Sequence, residues 1–167
     1  MIMKREMRRF RQLLPQEDAK QILHDQTNGV LSLVDSDGKP YGVPLSFAYD
    51  GKNAIYLHSA TKGRKVDCIG DGCYCSFCVV GRDEIIAEKF TSFFQSVIVG
   101  GHIRIVTDTD EIMKGLLLLC EKYSPGIDSR DEIARYLSHV LILRLDIEEM
   151  TGKEAIELVR KRGGEKA

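Results

Sequence analysis

The sequence has 167 residues, 43% of them hydrophobic and 29% charged, with a formal net charge of -1. That length allows one domain with its own core, and that composition is ordinary for a globular chain. The charge gives no overall pull toward nucleic acid or a membrane surface, and no apolar run reaches spanning length, so the expected setting is the cytoplasm.

Residues 1–14 read as a polar arm in which Lys4, Arg5, Arg8, Arg9 and Arg11 cluster, without the apolar stretch of a signal peptide. A helix is predicted from Pro15 to Gln26. Proline opens it, acids fill its first turn, and Ala19, Ile22 and Leu23 form its buried stripe. Val30–Val34 and Tyr41–Tyr49 read as a hairpin across the turn Asp35-Ser36-Asp37-Gly38.

The second of these strands has two unlike faces. Tyr41, Val43, Leu45, Phe47 and Tyr49 are large; Gly42, Pro44, Ser46 and Ala48 are small. Pro44 forgoes a ladder hydrogen bond, which marks an edge or interrupted strand. The small face would let a flat group approach the backbone, or another element pack there.

Ile55–Leu57 is a third strand, running into His58-Ser59-Ala60-Thr61-Lys62-Gly63-Arg64-Lys65. The Ser59 hydroxyl, the cations and the free N–H groups of a helix over Arg64–Ile69 would suit an anion, phosphate above all. The same residues would also suit a solvated basic loop. Cys73–Val80 is a fourth strand, Gly81–Thr91 a polar loop, and Phe93–Val106 a long fifth strand. Gly100-Gly101 inside it marks the bend that closing a barrel requires. Asp110–Tyr123 is the clearest helix, Asp131–Ser138 a shorter one, Val140–Ile147 a sixth strand, and 154–167 a charged tail with a helix over Glu154–Arg162.

Five cysteines without a secretory signal argue against a disulfide framework. Cys75 and Cys78 have CxxC spacing, but Cys73, Cys75, Phe77 and Val79 share one strand face, so buried thiols are expected and no metal. The expected fold is therefore α+β and mainly β: one antiparallel six-stranded split β-barrel domain with peripheral helices. An oligonucleotide-binding barrel would interleave aromatic and basic residues on its strands, which these strands do not.

Four segments together resemble one family. They are Val43-Pro44-Leu45-Ser46-Phe47, Ile55-Tyr56-Leu57-His58-Ser59-Ala60 with Gly63-Arg64-Lys65, Phe94-Gln95-Ser96-Val97-Ile98, and Leu145 to Lys153. In that order they resemble the FMN-binding split-barrel proteins related to pyridoxamine 5'-phosphate oxidase, nearest the nitroimidazole-resistance branch. The resemblance implies a homodimer with FMN at the subunit interface. It implies phosphate binding by Ser59, Arg64 and Lys65, with Ala60 and Gly63 in the same motif. Pro44, Leu45 and Ser46 would line the ring, Ser96 and Val97 its polar edge, and His58 would stand beside it as the catalytic candidate. Phe94-Gln95 replaces the tyrosine and charged residue of many relatives, which bears on substrate choice.

The expected activity is an FMN-dependent oxidoreductase reducing nitroaromatic or similar small acceptors, with His58, Ser96 and Lys89 as the side chains to watch. The alternatives are a non-enzymatic flavin binder and a pyridoxamine 5'-phosphate oxidase. The latter would need a second phosphate site.

Overall fold

The computed structural model describes residues 6–164. Its elements are α1 (Gln16–Asp25), β1 (Asn28–Val34), β2 (Pro40–Tyr49), β3 (Ala54–Ala60), α2 (Arg64–Ile69), β4 (Cys73–Ile86), β5 (Thr91–Ile105), α3 (Thr109–Tyr123), α4 (Arg130–Tyr136), β6 (Val140–Glu154) and α5 (Ile156–Arg162). The strands close into an antiparallel barrel in the order β1-β2-β3-β6-β5-β4, the mainly β split-barrel fold expected.

Alternation decides what fills the barrel. Leu31, Phe47, Leu57, Phe77, Val99 and Leu143 point inward and are fully buried. Each such side chain contributes about 1.5–3 kcal/mol by leaving water. From α1 and the segment before it, Leu14, Ala19 and Leu23 join this core. A second cluster lies outside the barrel, where Leu119 of α3 covers Ala48, Tyr56 and Ile142. The start of α3 is pinned by charge. Glu111 accepts from Arg104 at 2.8 Å and from Arg144, which also donates to Asp146 at 2.7 Å.

Two strand features predicted from sequence have visible causes. Between β5 and β6 the register slips at Gly100/Gly101. A Cβ on Gly101 would lie 1.9 Å from the Asp146 carbonyl oxygen, so only glycine fits that bend. β2 is interrupted as Pro44 implied. It pairs with β1 from Pro40 to Ser46, but with β3 only over Phe47–Tyr49. Beyond Phe47 and Leu57 the two strands part, and this is the split.

Other expectations need correction. Gly81–Thr91 is not a loop. β4 continues to Ile86 and, after a short 3-10 turn at Ala87–Lys89, pairs back onto β5 as a ribbon. Charged residues obscure it in sequence because both faces of the ribbon meet water, so no apolar alternation survives. β6 likewise runs to Glu154 rather than Ile147. Its second half pairs with the β5 residues beyond the bulge. The tail helix starts at Ile156 rather than Glu154: Glu154 and Ala155 are buried, and Arg162 reaches Glu154 at 2.6 Å. Leu13 bridges Lys153, so the end of the N-terminal arm is docked as well. Lys4 and Arg5 lie outside the described residues.

Candidate functional site

The site forms where β2 and β3 separate. On β2, Gly42 and Pro44 point outward and are exposed, whereas Tyr41, Val43 and Leu45 pack toward the barrel core. The outward wall beside the split is thus nearly flat. Leu45 can offer such a wall only its backbone.

β3 continues through His58, Ser59 and Ala60, which had been expected to turn away. Each pairs with β6, at Ile142, Leu141 and Val140. Strand alternation then divides the motif: His58 and Ala60 face outward, while Ser59 faces the barrel interior and is 4% exposed. Packing around part of the His58 ring, with the nearby Lys65 charge second, holds its pKa below the ordinary 6.5. His58 is therefore neutral at pH 7, able to give or take a proton through its ring nitrogens.

Gly63 precedes α2 with φ 131°, a conformation L side chains rarely adopt, which explains the glycine in this motif. α2 has only six residues, so the positive charge here comes chiefly from side chains rather than from a helix dipole. Its first two residues diverge. Arg64 turns toward the β1–β2 hairpin, where it donates to Asp35 at 2.8 Å and lies 4.4 Å from the Tyr41 ring centroid. Lys65 is half-buried near His58, and desolvation lowers its pKa. Among the described residues Lys65 has no carboxylate within salt-bridge range. A desolvated ammonium left without a counter-ion favours a bound anion.

Next to this mouth lies a pocket of about 350 Å³, with Ser46 and His58 in its wall. Leu116, Leu119 and Tyr123 of α3 line it together with Glu132, Ile133 and Tyr136 of α4. Sequence periodicity marks Leu116, Leu119 and Tyr123 only as an apolar helix face. Nothing in it separates pocket wall from core.

Ser96 and Val97 stand apart from this cluster. Val97 is fully buried inside the barrel. Ser96 points outward on β5, opposite Val80 and Lys153. In the ring of six strands β2 and β5 are diametrically opposed, so one chain cannot bring Ser96 to Ser46. Lys89 sits in the 3-10 turn at the exposed tip of the β4–β5 ribbon. Phe94 lies beneath the Lys153 ammonium, 5.3 Å from its ring centroid, and Gln95 reaches Glu154 at 3.4 Å. The CxxC thiols do not converge, since Cys75 points into the core and Cys78 out of it. Burial pushes the Cys75 thiol up to about 12, with the Cys73 thiol adding to the shift.

A flat wall, an unpaired half-buried cation and an adjoining apolar pocket suit a ligand that joins an anionic group to a planar ring. The fold is that of a split-barrel protein, and these features make the opening between β2 and β3 its candidate ligand site. The chain belongs to the family described as pyridoxamine 5'-phosphate oxidase, whose profile matches residues 15–154. No curated protein sequence matches it. Among solved structures it is similar to a candidate 5-nitroimidazole antibiotic resistance protein from Bacteroides thetaiotaomicron. Identity is 20%, TM-score 0.72, and the match covers 85% of this chain and 86% of that one. It is similar also to a flavocytochrome from Azotobacter vinelandii, at 19% identity and TM-score 0.76 over 93% of this chain and 74% of that one. A FAD-binding protein from Mesorhizobium loti matches at 23% identity and TM-score 0.60, over 86% and 96%.

Proposed function

We propose that this chain is an FMN-dependent oxidoreductase, working as a homodimer that passes electrons from a reduced donor to a small aromatic acceptor of the nitroaromatic kind. The observation that carries this reading is the opposition of β2 and β5. Between them, β1 and β4 present an outer wall bearing Val30, Cys78 and Val80, extended by Ile98 of β5, which pairs with Cys78 and is 51% exposed. Such a wall favours a second copy. Two convex walls meeting along β1 and β4, about a two-fold axis parallel to the strands, leave two equivalent clefts. Each cleft is flanked by β2 of one copy and β5 of the other, so Ser96 of the second copy comes to Pro44, Ser46 and His58.

In this reading Lys65 and Arg64 hold the phosphate, and the small outer face of β2 backs the ring. FMN supplies the electron transfer when bound; the protein orients it and sets its surroundings. The neutral His58 holds or delivers a proton to an acceptor seated in the adjoining, mainly apolar pocket. Similarity to a nitroimidazole-resistance protein supports the acceptor class, and similarity to a flavocytochrome supports the redox role.

A second reading, with FAD in place of FMN, is favoured by the likeness to FAD-binding proteins. The absorption spectrum of freshly purified protein, with chromatography of the flavin released on heating, tests both. FMN is the expected product. Colourless protein that also fails to take up either flavin sinks the proposal. Turnover with a reduced nicotinamide and a nitroaromatic then separates an enzyme from a simple binder.

A further inference from the structure

We infer that Asp35 is a positioning residue for the anion site, holding the Arg64 guanidinium where a phosphate can meet it. This rests on the phosphate-binding reading given above. Asp35 belongs to the β1–β2 turn, and that turn fixes its carboxylate independently of Arg64. Its Oδ1 accepts from the Asp37 N–H at 3.1 Å and the Lys39 N–H at 2.9 Å. The Asp35 N–H in turn donates to the Lys39 carbonyl at 3.0 Å. These bonds leave Oδ2 free to accept from Arg64 Nη2 at 2.8 Å.

The Lys39 backbone bond, followed by Arg64, holds the Asp35 carboxyl below its ordinary range, so it stays ionised at neutral pH. The Tyr41 ring also lies against the guanidinium, its centroid 4.4 Å from Arg64 Cζ. Of the five N–H donors of Arg64, one is committed to Asp35. The others remain to fork onto a phosphate. An arginine held by a rigid acid and a ring loses little side-chain entropy on binding, which is the usual route by which preorganisation raises affinity. The mid-sequence turn Asp35-Ser36-Asp37-Gly38 thereby acquires a role at a site nearly thirty residues away.

The test is a double-mutant comparison on the full chain, titrating FMN and riboflavin by fluorescence. Asp35→Ala is expected to weaken FMN about three- to tenfold and leave riboflavin unchanged, in line with the loss of one preorganising contact. Asp35→Asn keeps the acceptor for the Asp37 and Lys39 N–H groups but turns an amide NH2 toward the Arg64 guanidinium, so it is expected to weaken FMN to a similar extent and carries the comparison if Asp35→Ala unfolds. In an Arg64→Ala background the Asp35 effect disappears. FMN binding that is unchanged or tighter in both Asp35 variants overturns the role, as does a loss that persists without Arg64. If Arg64→Ala alone keeps the wild-type preference for FMN over riboflavin, the phosphate site itself falls, and this role with it.

Discussion

Ser46 and His58 occupy facing positions one step beyond Phe47 and Leu57, the last residues at which β2 and β3 pair before they part. Strand separation therefore places a hydroxyl and an imidazole on the two lips of one opening. Both point to the outer side of the barrel, where the α3–α4 pocket begins.

Lys65 is the cation whose removal reports most directly on this opening. Lys65→Met should weaken FMN by about 1.5–3 kcal/mol, or one to two decades in Kd, and leave riboflavin nearly unaffected. It should also raise the His58 pKa toward 6.5, because the Lys65 charge contributes to its depression while desolvation remains. Histidine proton resonances followed between pH 5 and 8 measure this. An unmoved His58 would show that the two side chains are not electrostatically coupled.

Dimer formation can be tested on the outer wall without touching the barrel core. Ile98→Asp replaces a half-exposed side chain on the β5 side of the outer face formed by β1, β4 and β5. The isolated chain should change stability by no more than about 0.5 kcal/mol, as at other surface positions. Sedimentation should nevertheless show monomers, and the variant should lose its flavin. Retention of flavin by a monomer contradicts the two-chain site.

Glu111 ties the start of α3 to the barrel through opposite charges. Desolvation acts to raise its pKa, but the Arg104 and Arg144 guanidiniums outweigh it and hold the carboxyl below its ordinary 4.5. Its folded-state pKa is depressed, so its stabilisation is complete above the unfolded value near 4.5 and fades as pH falls through the folded value. Glu111→Gln should cost about 1.5–3 kcal/mol at pH 7 and much less at pH 3, by chemical denaturation at both values.

Gly101→Ala should be destabilising by about 3 kcal/mol, at the upper end of overpacking effects, because its Cβ meets backbone rather than a side chain that can rotate away. Gly38→Ala is the contrasting substitution: φ is +78° there, but nothing lies within 4 Å, so only the strain of that φ is paid. Thermal melts of the pair separate crowding from conformation.

Sequence reading captured the barrel because each inner wall alternates, and it captured the Gly100-Gly101 bend because two adjacent glycines in a strand have few other uses. It missed the β4–β5 ribbon, since a strand wet on both faces carries no hydrophobic period, and the second half of β6, whose buried positions are Gly152 and Glu154 rather than large apolar side chains. At the site, chemistry was more legible than direction. His58 and Lys65 lie near one another, but Ser59 faces inward because β3 runs three residues past its predicted end at Leu57. Arg64 turns to Asp35, a contact spanning 29 positions that no local pattern encodes. The separation of Ser96 follows from strand order, which composition and spacing cannot supply.

Tyr123 closes the ladder where β1 runs out. Its hydroxyl accepts from the Phe47 N–H at 2.8 Å and shares its one proton between the carbonyls of Thr27, at 2.5 Å, and Phe47, at 3.0 Å. A helix side chain thus stands in for a missing strand residue directly beside Ser46. Heritable change is consequently constrained unevenly around the opening. A single inserted residue between Thr27 and Asn28, or a shift of α3 by one position, would pull this rivet and re-aim the Ser46 lip, so lineages that vary the pocket should do so through α4 while keeping the end of α3 in place.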